Sequence, residues 1–209
     1  MSTYILGIDN GITGSIALMS PEGKVLFYEP IPIYKERKWT KPTKTIVRKK
    51  ATKTKPAEKQ IKIEYDNITM IDISALQRLI VKYTGTLNDV HCFLERPAIS
   101  YAAAWSMKTS ISAAMSWAYV VFVLKNLHIQ RTDIDSKEWQ HQLIPEASGE
   151  QNKEYMKTLK PGERNKLLKE AAYDLAKTLY PALNSKDKGA GDSICIAEYG
   201  RLKMNGGIV

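Results

Sequence analysis

Three short apolar segments separated by tight turns open the chain, and this opening constrains the fold more than any other feature. Tyr4–Asp9, Ser15–Met19 and Val25–Ile31 each have the length and composition of a buried strand. Strands joined by such short turns pair antiparallel, so we expect a three-stranded meander. Further apolar strands are predicted at Val90–Glu95 and His128–Thr132, with helical segments between and after them. This order predicts an α/β fold, in which a mixed five-stranded sheet (a meander followed by parallel strands) carries helices on both faces.

The helices are predicted from periodicity and from end signals. Ser74 and Gln77 match a capping box, which predicts the start of the first helix, and Gly85 predicts its end. Residues 147–160 are polar and are expected to form a loop. The predicted helices cover about 74–85, 102–124, 136–143, 163–180 and 192–203.

Positive charge is concentrated in one segment of the 209-residue chain. Lys35–Lys62 contains twelve Lys and Arg against two Glu, whereas the rest of the chain has a net charge of −1. A localised charge of this kind predicts a polyanionic partner, with nucleic acid favoured over an anionic membrane. The alternation in Gln60–Tyr65 predicts an exposed strand, for which Thr45–Arg48 is the expected partner. We therefore interpret residues 1–209 as one domain with a basic insertion at about 34–66, either a hairpin or a flexible arm.

Several protein classes are disfavoured by composition. The two cysteines, Cys92 and Cys195, lie in apolar segments and predict neither a disulfide framework nor a zinc site, which suits an intracellular, reducing compartment. The first residues lack the pattern of a secretory signal. The most apolar stretch, Thr109–Leu124, has 16 residues and is expected to be a buried helix, because a membrane span needs roughly 20. We expect no membrane partner.

Three acidic residues occur at the ends of apolar elements. Asp9 and Glu95 end predicted strands, and Asp192 begins the last predicted helix. A carboxylate at the inner end of a buried strand is unfavourable unless it is paired or bound to metal. If the two strands are neighbours, Asp9 and Glu95 lie close together and either share a proton or bind a cation. Ligands that are all oxygen favour Mg²⁺ or Mn²⁺.

Each carboxylate also has an ordinary structural interpretation. Asp9 is typical of an Asx-type turn leading into the glycines that follow it. Glu95 is a candidate for a buried ion pair with Arg96 or Arg131. Asp192 is typical of a helix N-cap, where Asp is preferred. The metal interpretation depends on all three occurring together in this topology.

The motifs together resemble a known family. They are Asp-x-Gly-x-x-Gly after the first strand, Leu-Glu-Arg-Pro around Glu95, and Gly-Asp-Ser-Ile-Cys-Ile-Ala-Glu-Tyr-Gly-Arg from Gly191. They resemble the RuvC-type Holliday junction resolvases of the ribonuclease H-like nuclease superfamily. Asp135–Gln140 and Lys166–Ala172 resemble further segments of that family, so the resemblance covers nearly the whole chain except the basic insertion.

The resemblance implies an enzyme and a mechanism. Such enzymes are homodimeric, Mg²⁺-dependent DNA endonucleases that resolve four-way junctions by paired nicks, acting in recombination and repair. Two metal ions, for which Mn²⁺ may be substituted, bracket the scissile phosphate and give 5′-phosphate and 3′-hydroxyl ends. Asp9 would be the central ligand, with Glu95 and Asp192 on opposite sides.

The fourth acidic residue of the family has no direct match. It usually lies three or four residues before the last Asp, where this chain has Gly189 and Lys188. Asp187 lies five residues before Asp192 and is the predicted fourth catalytic and metal-binding carboxylate. Alternatively, Lys186, Asp187 and Lys188 form only a solvated loop that faces phosphate.

Contacts to DNA are predicted at two places. Lys137, by its position in the family-like segment, and Lys186 and Lys188, in the loop before the last helix, are candidate phosphate contacts, although Lys137 is also typical of an ordinary surface lysine. In the basic insertion, Trp39 or Tyr34 is a candidate for stacking on unpaired bases, and a flexible charged run or a localisation signal is the alternative. The predicted DNA-binding residues there are Arg37, Lys38, Trp39, Arg48, Lys49 and Lys50.

Other functions remain as alternatives. The Asp9–Gly14 segment also resembles the first phosphate loop of actin-like ATPases and sugar kinases, but the chain lacks a second such strand and that interpretation leaves Glu95 unexplained. A junction-binding protein on a degenerate nuclease scaffold, and a nuclease that acts on RNA–DNA hybrids or flaps, both remain open.

Overall fold

The computed structural model describes residues 3–37, 43–49, 58–64, 67–87, 89–97, 107–149, 153–184 and 189–207. The chain divides into two compact units: Met1–Pro32 together with Ile71–Val209, and Ile33–Met70. The interpretation of the chain as one domain with an insertion at about 34–66 stays a prediction.

Nine strands and seven helices lie within the described residues. The strands are β1 (Tyr4–Ile8), β2 (Ser15–Met19), β3 (Val25–Pro30), β4 (Ile33–Arg37), β5 (Thr43–Lys49), β6 (Glu58–Glu64), β7 (Asn67–Ile71), β8 (Val90–Glu95) and β9 (Gln130–Ile134). The helices are α1 (Ile73–Thr84), α2 (Met107–Asn126), α3 (Ser136–Leu143), α4 (Pro145–Ser148), α5 (Lys153–Thr158), α6 (Pro161–Leu179) and α7 (Ala190–Met204).

The first unit contains a mixed five-stranded sheet in the order β3-β2-β1-β8-β9. β1 pairs antiparallel with β2, and β2 with β3, as the short turns between them require. β1 pairs parallel with β8, and β8 with β9. The predicted fold class, a meander followed by parallel strands, is confirmed.

Helices cover both faces of this sheet. On one face, Leu6, Ile8 and Leu94 pack into a core with α1 and α2. On the other face, Ile5 and Phe93 pack into a core with α3, α6 and α7. The continuous apolar character of β1 and β8 follows from this arrangement, because strands buried on both faces have no polar side.

Helix α7 lies unusually close to the sheet. A Cβ atom on Gly7 of β1 would overlap the Ser193 carbonyl oxygen and the Ala197 amide nitrogen of α7. Gly200 packs in the same way against the Phe93 ring. These two glycines let the helix backbone approach β1 and β8, which fixes where α7 begins relative to the strand ends.

Several predicted boundaries were wrong. α1 is capped by Asp72, whose Oδ1 accepts a hydrogen bond from the Ala75 amide at 2.9 Å, and not by Ser74. β9 begins at Gln130 because His128 still belongs to the turn that ends α2, with a left-handed φ of 54°. Residues 147–160, expected as a loop, include the end of α4 and all of α5, which are too short to show a clear period in the sequence.

The second unit consists of two small strand pairs. β4 pairs with β7, and β5 pairs antiparallel with β6. Thr45 lies opposite Lys62 and Arg48 opposite Lys59, so residues 45–48 pair with residues 59–62. The predicted pairing of Thr45–Arg48 with the strand that includes Gln60 is confirmed, although this strand runs over Glu58–Glu64 and not over Gln60–Tyr65. Among the described residues of the whole chain, no helix has the length and apolar character that crossing a bilayer requires.

The close contact of α7 with β1 gives the first testable prediction. Gly7→Ala introduces a methyl group into the α7 backbone, and we expect it to destabilise the fold by about 1–3 kcal/mol or more. Gly162→Ala is the control, since a Cβ there meets nothing within 4 Å, and helical Ala is favoured over Gly by up to about 1 kcal/mol. Urea denaturation measures both; equal stability of Gly7→Ala and wild type would contradict the packing.

Candidate active site

Asp9 and Glu95 lie at the same edge of the sheet. Ile8, the last residue of β1, is in register with Leu94 of β8, so Asp9 and Glu95 occupy corresponding positions at the ends of two neighbouring parallel strands. Each residue is largely enclosed by protein, yet part of its surface is accessible. Two partly buried carboxylates therefore lie side by side at this edge of the sheet, and solvent can reach both.

Asp192 reaches this edge from α7. Ser15 Oγ at the start of β2 lies 2.8 Å from the Gly189 carbonyl oxygen and 2.8 Å from Ser193 Oγ. A hydroxyl carries one proton, so Ser15 donates to the carbonyl and accepts from Ser193. Together with the contact at Gly7, these bonds hold the first turn of α7 beside the end of β1.

The three carboxylates interact electrostatically. Burial, and then the charges of Asp192 and Glu95, raise the pKa of Asp9 well above its ordinary value. Burial raises the pKa of Glu95 to about 7, with a further contribution from Asp192, and burial raises the pKa of Asp192 to about 6. The structure thus brings Asp9, Glu95 and Asp192 together, at a cost that increases as each one ionises.

The ion-pair interpretation of Glu95 was wrong. Arg96 contacts Asp135 at 3.1 Å, and Arg131 contacts Asp133 at 2.9 Å. Glu95 Oε2 instead accepts a hydrogen bond from Trp139 Nε1 at 2.8 Å, which opposes the rise of its pKa. A neutral donor leaves the negative charge of Glu95 available to a cation.

The helix-cap interpretation of Asp192 and the turn interpretation of Asp9 were also wrong. Gly189 is the N-cap residue of α7, so Asp192 lies within the first turn and does not cap the helix. The turn after Asp9 is closed by the main chain: the Asp9 amide donates to the Ser15 carbonyl, and the Gly14 amide donates to the Gly11 carbonyl, both at 3.1 Å. The turn therefore does not depend on the Asp9 carboxylate.

The donor chemistry suits a hard divalent cation. Asp192 raises the pKa of both Asp9 and Glu95, and within the described residues no positively charged side chain is hydrogen-bonded to any of the three carboxylates. Beside Asp9, the side-chain nitrogen and oxygen of Asn10 are both buried without a hydrogen-bond partner. Within the described residues, no three His, Cys, Asp or Glu side chains converge closely enough to hold a metal ion as they stand. The residues fit Mg²⁺ or Mn²⁺ by type and charge.

Most of the other predicted site residues cannot be placed. Lys38, Trp39, Lys50, Lys186, Asp187 and Lys188 lie outside the described residues. Arg37 is the last residue of β4, and Arg48 and Lys49 belong to β5, without a description of their side chains. Lys137 is exposed in the first turn of α3. Tyr34 is also exposed.

Three residues of the site were missed by the sequence analysis. Lys169 of α6 is exposed, and its positive charge lowers the pKa of both Asp9 and Asp192. Trp139 contacts Glu95, and Asn10 adjoins Asp9. Lys169 lies within the family-like segment Lys166–Ala172, but the sequence does not distinguish it from the other lysines of this amphipathic helix. Trp139 had a weak signal, since it lies within the family-like segment that includes Lys137.

One cavity near the sheet lies away from the three carboxylates. A volume of about 440 Å³ is lined by Leu87, Asp89 and Val90 at the start of β8 and by Leu127 and Gln130 near the start of β9. Glu95 lies at the other end of β8, six residues along the strand.

Solved structures that are similar to this chain share little sequence identity with it. Neither a family model nor a curated protein sequence matches the chain. Among solved structures, the chain is similar to T. thermophilus RuvC in complex with a Holliday junction substrate, with 7% identity, 98% of each chain covered and a TM-score of 0.49. A Thermus thermophilus RuvC structure is similar at 9% identity, with 98% of this chain and 97% of that chain covered and a TM-score of 0.47. At these values the similarity alone carries no conclusion about function, and the fold assignment rests on strand order and register.

The raised pKa values predict how stability depends on pH in the absence of divalent ions. The pKa values of Glu95 and Asp192 are about 7 and about 6 in the folded protein, against ordinary values of 4.5 and 3.8. The folded protein therefore holds protons that the unfolded chain has released, so stability falls as the pH rises from about 4 to about 7.

Glu95→Gln removes one of these buried charges. At pH 8 in EDTA we expect the variant to be more stable than wild type by on the order of 2 kcal/mol, and at pH 4 the difference should vanish. Glu146→Gln, at an exposed position of α4, is the matched control and should leave the stability unchanged at both pH 8 and pH 4. Urea denaturation at the two pH values provides the measurement; a Glu95→Gln variant less stable than wild type at pH 8 would show that the charge is not destabilising.

Proposed function

We propose that this protein is a divalent-metal-dependent, structure-selective DNA endonuclease of the RuvC type, which resolves four-way junctions by paired nicks. The observation that carries the proposal is the grouping of Asp9, Glu95 and Asp192 at one edge of a mixed sheet, where the charge of Asp192 raises the pKa of both Asp9 and Glu95. The sequence motifs around these residues, and the strand order that they predicted, support the same conclusion.

Asp9, Glu95 and Asp192 would hold the metal ions, with Asp187 as a fourth ligand. When bound, two Mg²⁺ or Mn²⁺ ions would supply an activated water and stabilise the leaving 3′ oxygen, which gives 5′-phosphate and 3′-hydroxyl ends. Asp9, at the end of the central strand of the sheet, would be the central ligand. The protons of Glu95 and Asp192 must leave before metal binds, so binding releases protons near neutral pH.

Lys169 has a role in this proposal that the motifs did not suggest. Its charge acts on Asp9 and Asp192 from α6, while its side chain remains exposed. A lysine in this position can contact the phosphate that lies against the carboxylates, and it favours their ionised forms. Lys137 on α3 and the lysines Lys186 and Lys188 before α7 are further candidates for contacts to the DNA backbone.

The basic strands of the second unit are proposed to bind DNA phosphates. β5 and β6 carry Arg48, Lys49, Lys59 and Lys62, and their pairing makes a two-stranded ribbon of high positive charge. Binding through phosphates releases counterions, so affinity depends strongly on salt. Trp39 and Tyr34 are proposed to stack on unpaired bases near a junction centre.

This salt dependence gives a prediction. Replacing Arg48, Lys49 and Lys50 together by Gln should reduce the slope of log affinity against log salt by up to about 2.7, since each phosphate contact contributes about 0.9. Replacing the exposed Lys153, Lys157 and Lys160 by Gln removes the same charge elsewhere and serves as the control. Fluorescence anisotropy with a labelled four-way junction measures the slopes, and equal slopes in the two variants would exclude a specific contribution of the β5–β6 ribbon.

A homodimer is proposed on the basis of α2. Ile111, Met115, Ala118 and Phe122 are all exposed and follow one another at spacings of four, three and four residues, which we name the α2 stripe. This spacing is that of a coiled-coil seam. Because the stripe is on a helix whose other side is buried in the core, a second copy of α2 is the occupant that matches its length and pattern, through a two-fold interface. A dimer would provide the two active sites that paired nicks require.

The dimer is testable by changing the stripe. Phe122 is 53% exposed, and Phe122→Lys places a charge at one end of the α2 stripe without disturbing the core. We expect the variant to sediment as a monomer at concentrations at which wild type is a dimer. Met204→Lys, at a residue 49% exposed at the end of α7, is the control and should leave the dimer intact. A monomeric wild type at high micromolar concentration would exclude the interface.

A second candidate function retains junction binding without cleavage. It is favoured by the lack of a convergent metal-binding group within the described residues and by Lys188 and Gly189, which occupy the usual positions of the fourth carboxylate. The use of RNA–DNA hybrids or flaps as substrates is a further variant of the nuclease proposal.

The test uses labelled four-way DNA junctions with Mg²⁺, Mn²⁺ or Ca²⁺, beside matched duplex, flap and RNA–DNA hybrid. We expect paired nicks on opposing strands with Mg²⁺ or Mn²⁺ only, and their loss in Asp9→Asn. Tight junction binding without cleavage under every condition would replace the nuclease with the binding protein. Cleavage confined to hybrid or flap would keep the enzyme and change its substrate.

A further inference from the structure

We propose that Trp139 is a positioning residue for Glu95: its indole N–H holds one carboxylate oxygen of Glu95 and so directs the other towards a divalent cation. The inference rests on the proposed function, since it assigns Glu95 to a metal site. It adds to that function a residue that would determine metal affinity without touching the metal.

The contact between the two residues is direct and enclosed. Trp139 Nε1 donates to Glu95 Oε2 at 2.8 Å, and Trp139 is only 1% exposed. A buried indole has one donor and usually finds a partner for it. This protein has an exception, because Trp117 Nε1, on the other side of the sheet, is buried without a hydrogen-bond partner. A tryptophan can therefore be buried in this protein without a hydrogen bond, so burial alone does not explain the bond from Trp139 to Glu95.

The donor is fixed relative to the strand that carries Glu95. β8 and β9 pair with Glu95 opposite Ile134, and the Arg96 amide donates to the Ile134 carbonyl at 2.8 Å. α3 begins two residues after Ile134, so the helix that carries Trp139 starts at the same edge as the Glu95 carboxylate. The Asp135 amide donates to Glu138 Oε1 at 3.0 Å, which holds the first turn of α3 in place.

The donor is also fixed relative to the helix that carries Asp192. Glu138 Oε2 accepts a hydrogen bond from Tyr199 of α7 at 3.4 Å and lies 3.7 Å from Lys203 Nζ. On its other side, Glu138 lies 3.8 Å from Arg96, the residue that follows Glu95. α3 is thereby connected to the end of β8 and to α7, two of the three elements that bring carboxylates to the site, and these contacts hold the indole N–H in position.

A carboxylate held in this way differs from a free one. With Oε2 engaged by the indole, Oε1 remains for a metal ion, and the side chain does not need to give up conformational freedom when the ion binds. Groups that orient metal ligands in this manner typically contribute 10–100-fold to metal affinity. We therefore expect loss of the N–H to weaken metal binding by at least about 10-fold.

The test removes the N–H and preserves the ring. Trp139 is replaced by β-(3-benzothienyl)alanine, in which sulfur occupies the position of the N–H, and in parallel by Phe. Trp117→Phe is the matched control, because it removes an indole N–H that has no partner. Mn²⁺ affinity is measured on the DNA-free protein by electron paramagnetic resonance of the free ion, and melting temperature is measured in EDTA. If Trp139→Phe does not fold, the Mn²⁺ affinity of the benzothienyl variant alone tests the proposal.

We expect both Trp139 variants to bind Mn²⁺ about 10-fold more weakly than wild type and Trp117→Phe to bind it normally. Saturating Mn²⁺ should restore junction cleavage by the Trp139 variants, because only metal affinity is changed. The indole N–H resonance of Trp139 should also move in Glu95→Gln, while that of Trp117 does not. Unchanged Mn²⁺ affinity in a folded benzothienyl variant would overturn the positioning role while leaving the nuclease intact. A wild-type protein that neither binds Mn²⁺ nor cleaves DNA would overturn the proposed function, and the positioning role with it.

Discussion

The burial of three carboxylates at one edge of the sheet is the interaction on which the rest of the site depends. Asp9, Glu95 and Asp192 come from two strands and a helix, and each is forced into an environment that disfavours its charge. The fold tolerates this arrangement because it is rigid nearby: β1 and β8 are buried on both faces, and α7 is held against β1 at Gly7. Carboxylates on the surface would destabilise the fold less than these buried ones do. Destabilising groups of this kind are typical of functional sites.

Part of this site could be predicted from the sequence, and the reason is topological. Asp9 and Glu95 each follow an apolar strand, and neighbouring parallel strands end at the same edge, so their proximity follows once β1 and β8 are paired. The pairing itself was predictable from the meander and the later strand-helix alternation. The position of Asp192 was less predictable, because it depends on where α7 begins and on the contact of α7 with Gly7.

The contacts that surround the carboxylates could not have been predicted in this way. The bond from Trp139 to Glu95 joins residues 44 positions apart, and the effect of Lys169 depends on how α6 packs beside α7. Neither residue differs in sequence from an ordinary core tryptophan or surface lysine. The same holds for Asp72, which caps α1 in place of the Ser74 that the motif favoured. The periodicity of apolar residues identifies helices and strands. Which of several similar side chains contacts a given residue is decided by tertiary packing, which the sequence pattern does not reveal.

The central claim is that Glu95 and Asp192 exchange protons for a divalent cation, and calorimetric titration with Mn²⁺ at pH 6.5 tests it most directly. Performed in buffers of different ionisation heat, the titration counts the protons released for each ion bound. The pKa values of the two residues are about 7 and about 6, and that of Asp9 is also raised. We therefore predict release of at least about one proton in wild type and weaker or absent binding in Asp9→Asn. Binding without proton release, or with equal affinity in Asp9→Asn, would show that the ion is held elsewhere.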